Sequence, residues 1–321
     1  MTPSSSVVVS PWAAPADEGG RARSAVPATP RPPSSATAHR PERGRLELVL
    51  SERGGRTIAR SQFHEGALRV LRPHYLDDSG QVCYVVVNPG GAYLGADLFV
   101  LDVEVGEGAS LLLTTQSATK VYRTPGSFAE QRMTVRLGEG ARLELMPDQL
   151  IAYREASYRQ RTSVVLRPSS SLVMAEVVTP GWSPDGAAFR YEEVRLRNEI
   201  RVEPDGDGGT SELLALDNLL IRPPSGDVTG LGFMEGFSHV GSLVVVDARV
   251  DQALADELHL IATGFDALTG ISLTRAVAGT SGLVLRALSN STGELNLLLS
   301  ACANLLRERW HGQAPLNLRK H

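Results

Sequence analysis

Apolar and polar positions alternate at the start of Leu46-Glu47-Leu48-Val49-Leu50, the period expected of a strand with one buried face. Short strand-like runs follow at Val82–Val87, Phe99–Val105, Leu111–Thr115, Met133–Leu137, Leu143–Met146, Val164–Leu166 and Leu172–Val178, punctuated by Gly and Pro. Close turn signals without helical periodicity predict an all-β body. Helical spacing enters only in the C-terminal third. Asp251 can cap a run from Gln252 to Ile261 that stops before Gly264. Ser291 and Glu294 stand at capping-box spacing. Leu295, Leu298, Leu299, Cys302, Leu305, Leu306 and Trp310 then form an apolar stripe that ends before Gly312.

A weak internal repeat sharpens the β assignment. Val103 to Leu111 matches Val135 to Leu143 at an offset of 32 residues, and Val164 to Leu172 is a looser copy. Each copy reads strand, tight turn, strand, with glycine supplying the positive φ of a hairpin-type turn. Stacked copies would bury their apolar faces on their neighbours. The expected fold is therefore mostly β, with stacked or layered sheets that can wind like a β-helix, and about two α-helices near the end. The turns near Gly106, Gly138 and Pro168 should lie on one side.

Residues 1–44 are Pro-, Ser- and Ala-rich, and Pro27-Ala28-Thr29-Pro30-Arg31-Pro32-Pro33 can form neither a helix nor a central strand. This segment is expected to be a disordered tail, with a docking peptide as its functional alternative. Residues 45–321 are expected to form one β-rich domain with the C-terminal helix.

Composition narrows the function. The 321 residues carry a net charge of −4, which gives no electrostatic footprint for nucleic acid. No run of about 18 apolar residues predicts a membrane span. Val7-Val8-Val9 is too short for a secretory core, and Asp17 and Glu18 oppose a transit-peptide reading. Cys83 and Cys302 sit in apolar patterns and read as buried reduced thiols, which favours the cytoplasm.

Candidate chemistry is sparse. His39, His64, His74, His239, His259, His311 and His321 show no ligand spacing, so no tight metal site is legible. The run Asn88-Pro89-Gly90-Gly91-Ala92-Tyr93-Leu94-Gly95 fails as a phosphate loop, because Ala96-Asp97 rather than Lys-Ser/Thr follows. It reads as a tight loop between two strands. No Gly-x-Ser-x-Gly elbow is present. The residues alone describe a mostly-β protein without a recognisable catalytic constellation.

The sequence nevertheless resembles a known family. Asn88, Pro89, Gly90 and Gly91, then Gly95 and Asp97, then Thr114-Thr115-Gln116-Ser117-Ala118-Thr119-Lys120-Val121-Tyr122-Arg123 are similar to the signature of the UreD/UreH urease accessory proteins. Gly138 to Leu143, Met146-Pro147-Asp148, Tyr153, Glu176, Gly230 to Gly241 and the late helix near Trp310 extend the likeness over residues 45–312. Where the family commonly has Gln-Glu after the proline at Pro147, this chain has Asp148-Gln149.

The resemblance implies a non-enzymatic scaffold. It would bridge a UreF-type helical protein and a UreG-type GTPase to apo-urease and offer a path for Ni²⁺, with no tightly bound cofactor. Nickel in transit needs weak oxygen or imidazole ligands that release it. The repeat suggests where these lie. An offset of 32 sets Gln116 level with Asp148, and an offset of 29 sets Pro147 level with Glu176 and Asp148 level with Val177. Asp148 and Glu176 are the candidate transient nickel ligands, against ordinary ion pairs to Arg154 or Lys120. Leu306 and Trp310 are candidate partner contacts if exposed. The competing readings are a β-rich ligand-binding module without a metal role, and a hydrolase with a dispersed site. A ligand-binding module would favour clustered surface aromatics, which the linear sequence does not display.

Overall fold

The computed structural model describes residues 42–204, 210–316 and 318, so the tail expected at 1–44 lies outside the described residues up to residue 41. Glu42, Arg43 and Gly44 already belong to the first strand. In chain order the strands are β1 (Glu42–Arg53), β2 (Arg56–Gly66), β3 (Arg69–Val70), β4 (Val82–Val87), β5 (Leu98–Val105), β6 (Ser110–Thr115), β7 (Thr119–Val121), β8 (Ala129–Leu137) and β9 (Arg142–Met146). They continue with β10 (Leu150–Ala152), β11 (Ser157–Leu166), β12 (Ser171–Val178), β13 (Glu193–Val202), β14 (Glu212–Ile221) and β15 (His239–Asp247). Helix α1 (Gln252–Ala262), strands β16 (Leu268–Leu273) and β17 (Ser281–Ser289) and helix α2 (Thr292–His311) complete the chain.

Apart from the short β7 and β10, strands β4 to β13 alternate between two sheets. The first has the order β14-β13-β11-β8-β5-β1-β2, and the second β16-β17-β15-β12-β9-β6-β4-β3. Their central strands are parallel: β5, β8 and β11 in the first sheet, and β4, β6, β9 and β12 in the second. The repeat is visible as register. Val105 pairs with Leu137 and Leu137 with Leu166, while Leu111 pairs with Leu143 and Leu143 with Leu172. The chain is thus a β-solenoid, with each sequence repeat forming one coil. Short strands β7 and β10 pair in parallel and form a narrow third wall.

The three turns do stack on one edge. The Gly108 N–H donates to the Glu139 carbonyl at 2.8 Å, the Gly140 N–H to Ser169 Oγ at 2.9 Å, and Ser170 Oγ to the Gly138 carbonyl at 2.7 Å. Gly108 and Gly140 take φ of 64° and 60°. A Cβ on Gly138 would lie 2.9 Å from the Glu107 nitrogen, so the stacking itself requires glycine there. One expectation is corrected: the turns do not close hairpins. The strands flanking each turn enter opposite sheets, because each bonds to the equivalent strand of the neighbouring coil rather than to its own partner.

Two apolar cores result. The first fills the space between the sheets and includes Leu48, Val103, Val135, Leu143 and Val164. The second lies on the outer face of the second sheet, under both helices. Strand β12 therefore has apolar contacts on both faces, and its Leu172-Val173-Met174-Ala175 run does not alternate.

The helices follow their signals. Asp251 Oδ1 accepts the Leu254 N–H at 2.8 Å, and Ser291 Oγ accepts that of Glu294 at 3.3 Å. The capping box closes on one side only, since the Ser291 N–H donates to Ser289 Oγ. Gly312 ends α2 in the left-handed region at φ 59°. Leu295, Leu298, Leu299, Cys302 and Leu306 are buried on the second sheet. Leu306 is 1% exposed, which corrects its assignment as a surface partner contact: it is a core side chain. Trp310 is half-buried, with the Arg249 guanidinium 4.4 Å over its ring.

Candidate functional site

Strand alternation should place apolar side chains between the sheets, yet one stretch of the interior is polar. Gln131 on β8, Gln160 and Thr162 on β11, and Asn198 on β13 occupy inward positions of the first sheet, and Glu176 and Ser242 face them from the second. The amides of Gln160 and Asn198 donate to the two oxygens of Glu176 at 2.5 and 2.6 Å. Tyr93, stacked on Phe99 with centroids 3.9 Å apart, donates its hydroxyl to Gln131 Oε1 at 2.7 Å. Ser242 stands opposite Glu176 in the antiparallel β12–β15 ladder. Asn198 Oδ1 and Ser242 Oγ are buried without a hydrogen-bond partner among the described residues. Beyond them, an ion pair between Arg286 and Asp217 joins β17 to β14.

Burial pushes the Glu176 carboxyl up from its ordinary value, and the Asn198 amide opposes that rise. Among the described residues, Glu176 makes no ion pair. Neither Lys120 nor Arg154 takes it, and Arg154 pairs with Glu155 at 3.4 Å. Glu176 is partly buried, and a carboxylate so placed and held only by neutral amides is costly; a cation beside it would relieve that cost.

A cavity of about 90 Å³ adjoins this row, with room for several waters. Gln116, Asp148, Gln160, Thr162 and Glu176 line it. An outer groove of about 530 Å³, bounded by Asn296, Ser300 and Asn304 of α2, shares Pro147, Asp148, Glu176 and Val177 with the cavity. The repeat thus brings Gln116, Asp148 and Glu176 to one chamber. Gln131, Gln160, Asn198 and Ser242 were missed by the sequence reading, although polar residues on the inward phase of a strand were a usable signal.

The family-motif residues build the rim. The Asn88 to Asp97 segment is the expected loop between β4 and β5. Asn88 Oδ1 accepts the Gly90 N–H at 3.0 Å, Asp97 Oδ2 accepts the Leu94 N–H at 2.7 Å, and Arg43 reaches Asp97 at 3.3 Å. Pro89 sits in this loop, Gly91 takes φ 75°, and Gly95 packs against the Thr124 backbone. Thr114 Oγ1 donates to the Met146 carbonyl at 2.6 Å, and Thr115 Oγ1 accepts the Asp148 N–H at 2.9 Å, tying neighbouring coils. Thr119 and Lys120 pair with Leu150 and Ile151 in the third wall.

A second buried polar cluster lies outside the solenoid, under α2. Glu144 of β9 is bound by Arg142 and Arg307, and Gln81 Nε2 donates to it at 3.4 Å. The Gln313 amide reaches Asp77 at 3.1 Å and Ser79 at 2.7 Å. Cys83 and Cys302 are buried, and burial pushes the Cys302 thiol up to about 12.

Surface aromatics are also clustered, contrary to the linear reading. Tyr122 and Tyr153 meet edge-on with centroids 4.7 Å apart, and Trp182 continues the row at 4.9 Å. Their sequence separations approximate the repeat.

Among the described residues, no group of three or more His, Cys, Asp or Glu is arranged to hold a metal ion. No helix among them is long and apolar enough to cross a membrane. Fold and site together define a β-solenoid with a helical cover and a polar interior chamber. The sequence model of the UreD urease accessory protein matches residues 42–321, and the chain belongs to that family. The urease accessory protein UreD of Arthrobacter sp. (strain FB24) is 76% identical, over 87% of this chain and 94% of the relative. Those of Kocuria rhizophila and Bacillus cereus are 49% and 31% identical over 87% of this chain, covering 89% and 98% of their own lengths. This is a family of accessory proteins rather than of catalytic enzymes.

Proposed function

We propose that this chain acts in urease maturation as a cytoplasmic scaffold that bridges a UreF-type protein and a UreG-type GTPase to apo-urease and passes Ni²⁺ through its interior. The polar row beside the chamber carries this reading. Its oxygen donors are Asp148 and Glu176 together with amides and hydroxyls, which bind a divalent ion weakly and let it leave. A chamber that held nickel in a closed cage would retain it. Asn198 Oδ1 and Ser242 Oγ offer further open acceptors next to Glu176. Two buried cysteines far apart in sequence, rather than a disulfide framework, agree with a reducing compartment.

The test is reconstitution. Purified apo-urease, the two partner proteins and this chain should co-purify as one assembly. Urease matured with the chain present should carry nickel, and urease matured without it should stay nickel-poor. Equal nickel content in both preparations, or failure of the four proteins to assemble, would overturn the proposal.

A further inference from the structure

The third wall of the solenoid has an outer face that the chamber does not use. Tyr93 pairs with Val121 and Val121 with Ala152, all buried, so the residue after each points outward: Leu94, Tyr122 and Tyr153. Tyr153 bridges Trp182 in the next coil. The result is a four-rung apolar ladder with a rung spacing of about 4.8 Å, the distance between neighbouring strands. Leu94, Tyr122 and Trp182 are 52%, 41% and 51% exposed. Rigid aromatics that remain exposed in register are the side chains most enriched at energetic centres of protein interfaces.

The flank of the ladder is charged. Arg123 and Arg154 directly follow two of the rungs, and the Arg190 carbonyl accepts the Glu155 N–H at 2.9 Å, which places Arg190 alongside. With Lys120 these make four cations. Glu155 and Asp185, the carboxylates paired with these arginines, do not balance them. Glu155 is shared by Arg123 at 3.7 Å and Arg154 at 3.4 Å, and Asp185 is paired with Arg190 at 3.4 Å. The three guanidiniums stay at least half exposed. A cation-rich strip on a chain of net charge −4 is a local feature, not an average one.

We propose that this ladder is a docking site for an acidic segment of a partner protein, with apolar side chains seated on Leu94, Tyr122, Tyr153 and Trp182 and carboxylates on Arg123, Arg154 and Arg190. Guanidinium–carboxylate pairing supplies orientation, and the aromatic rungs supply buried area. A second copy of this chain is disfavoured, because a two-fold contact would set like-charged strips face to face. A neutral glycan would stack on the rings and gain little from the arginines. The inner side of the same wall borders the chamber through Thr119 and Leu150. An occupant of the ladder therefore sits against the chamber wall. Only the identity of the partners rests on the maturation reading.

Two experiments on the full chain test this. The first uses labelled peptides of about twelve residues alternating leucine with glutamate, and lysine counterparts, read by fluorescence anisotropy. The acidic probe should bind at least about tenfold more tightly than the basic one, and Trp182→Ala or the pair Arg123→Glu, Arg154→Glu should each weaken it about tenfold at unchanged melting temperature. Equal binding of the two probes, or unaltered binding by folded Trp182→Ala, would overturn the proposal whatever the chain's role in maturation. The second places p-benzoylphenylalanine at position 182 in the assembly with apo-urease and the UreF-type and UreG-type proteins. Light should join it to a net-negative segment of one of them. An adduct with a basic segment, with a second copy of this chain, or with no partner in an assembled complex contradicts the ladder and leaves the maturation reading intact. Failure to assemble contradicts the maturation reading, and the peptide result still decides the ladder.

Discussion

Two carboxylates of the second sheet, buried Glu144 on its outer face and partly buried Glu176 on its inner face, are held in opposite ways. Glu144 points out under α2, where two arginines and the Gln81 amide surround it. Glu176 points in, where two neutral amides hold it beside a cavity and two unpartnered acceptors. A carboxylate saturated by guanidiniums is a clamp between a helix and a sheet. A carboxylate bonded to amides keeps the capacity to receive a cation. Burial alone does not distinguish structure from function; the charge of the neighbours does.

The same substitution at both sites should therefore have opposite signs. Glu144→Gln leaves two buried guanidiniums without their counter-charge and should destabilise the fold by about 3–5 kcal/mol in denaturant unfolding. A loss below about 1 kcal/mol would remove the clamp from the comparison. Leu306→Ala, in the core beside that clamp, should cost about 2–5 kcal/mol, so any partner loss in it reports the fold rather than the interface. Trp310→Ala gives up its ring contact with Arg249 and should cost about 1–2 kcal/mol.

Glu176→Gln should stabilise. The folded pKa of Glu176 is raised by burial, so the folded chain keeps that proton to higher pH than the unfolded chain. Stability from this group is intact below the unfolded value of 4.5 and is lost as pH rises through the folded one. The amide variant should thus melt about 2 °C higher at pH 8, equivalent to about 0.5–1 kcal/mol in a domain of this size, and the gain should vanish near pH 4. A lower melting temperature at pH 8 would mean that Glu176 is compensated by a cation, as Glu144 is.

The sequence made the coils legible and left the sheets hidden. Offsets of 32 and 29 residues reappear as strand register, because parallel stacking keeps equivalent residues level. A turn between strands of opposite sheets has the same local pattern as a hairpin, so the pairing partner could not be read from the turn. Leu143-Glu144-Leu145 alternates like a strand with one wet face, yet α2 covers that face from more than 160 residues away. The chamber was half legible. Asp148 and Glu176 carry charge and draw attention, whereas Gln131, Gln160 and Asn198 are marked only by strand phase. The aromatic ladder was spread over sixty residues and became a cluster only once the coils stacked.

On the proposed function the interior row conducts nickel rather than merely filling the solenoid. The most direct test of this is the double variant Asp148→Ala, Glu176→Ala, with metal content of the matured urease measured by plasma mass spectrometry and assembly followed by co-purification. The assembly should form as with the unaltered chain, and the nickel content of the urease should fall by about tenfold, the loss expected when two of the few oxygen ligands on a path are removed. Normal nickel content from a fully formed assembly would contradict the proposal.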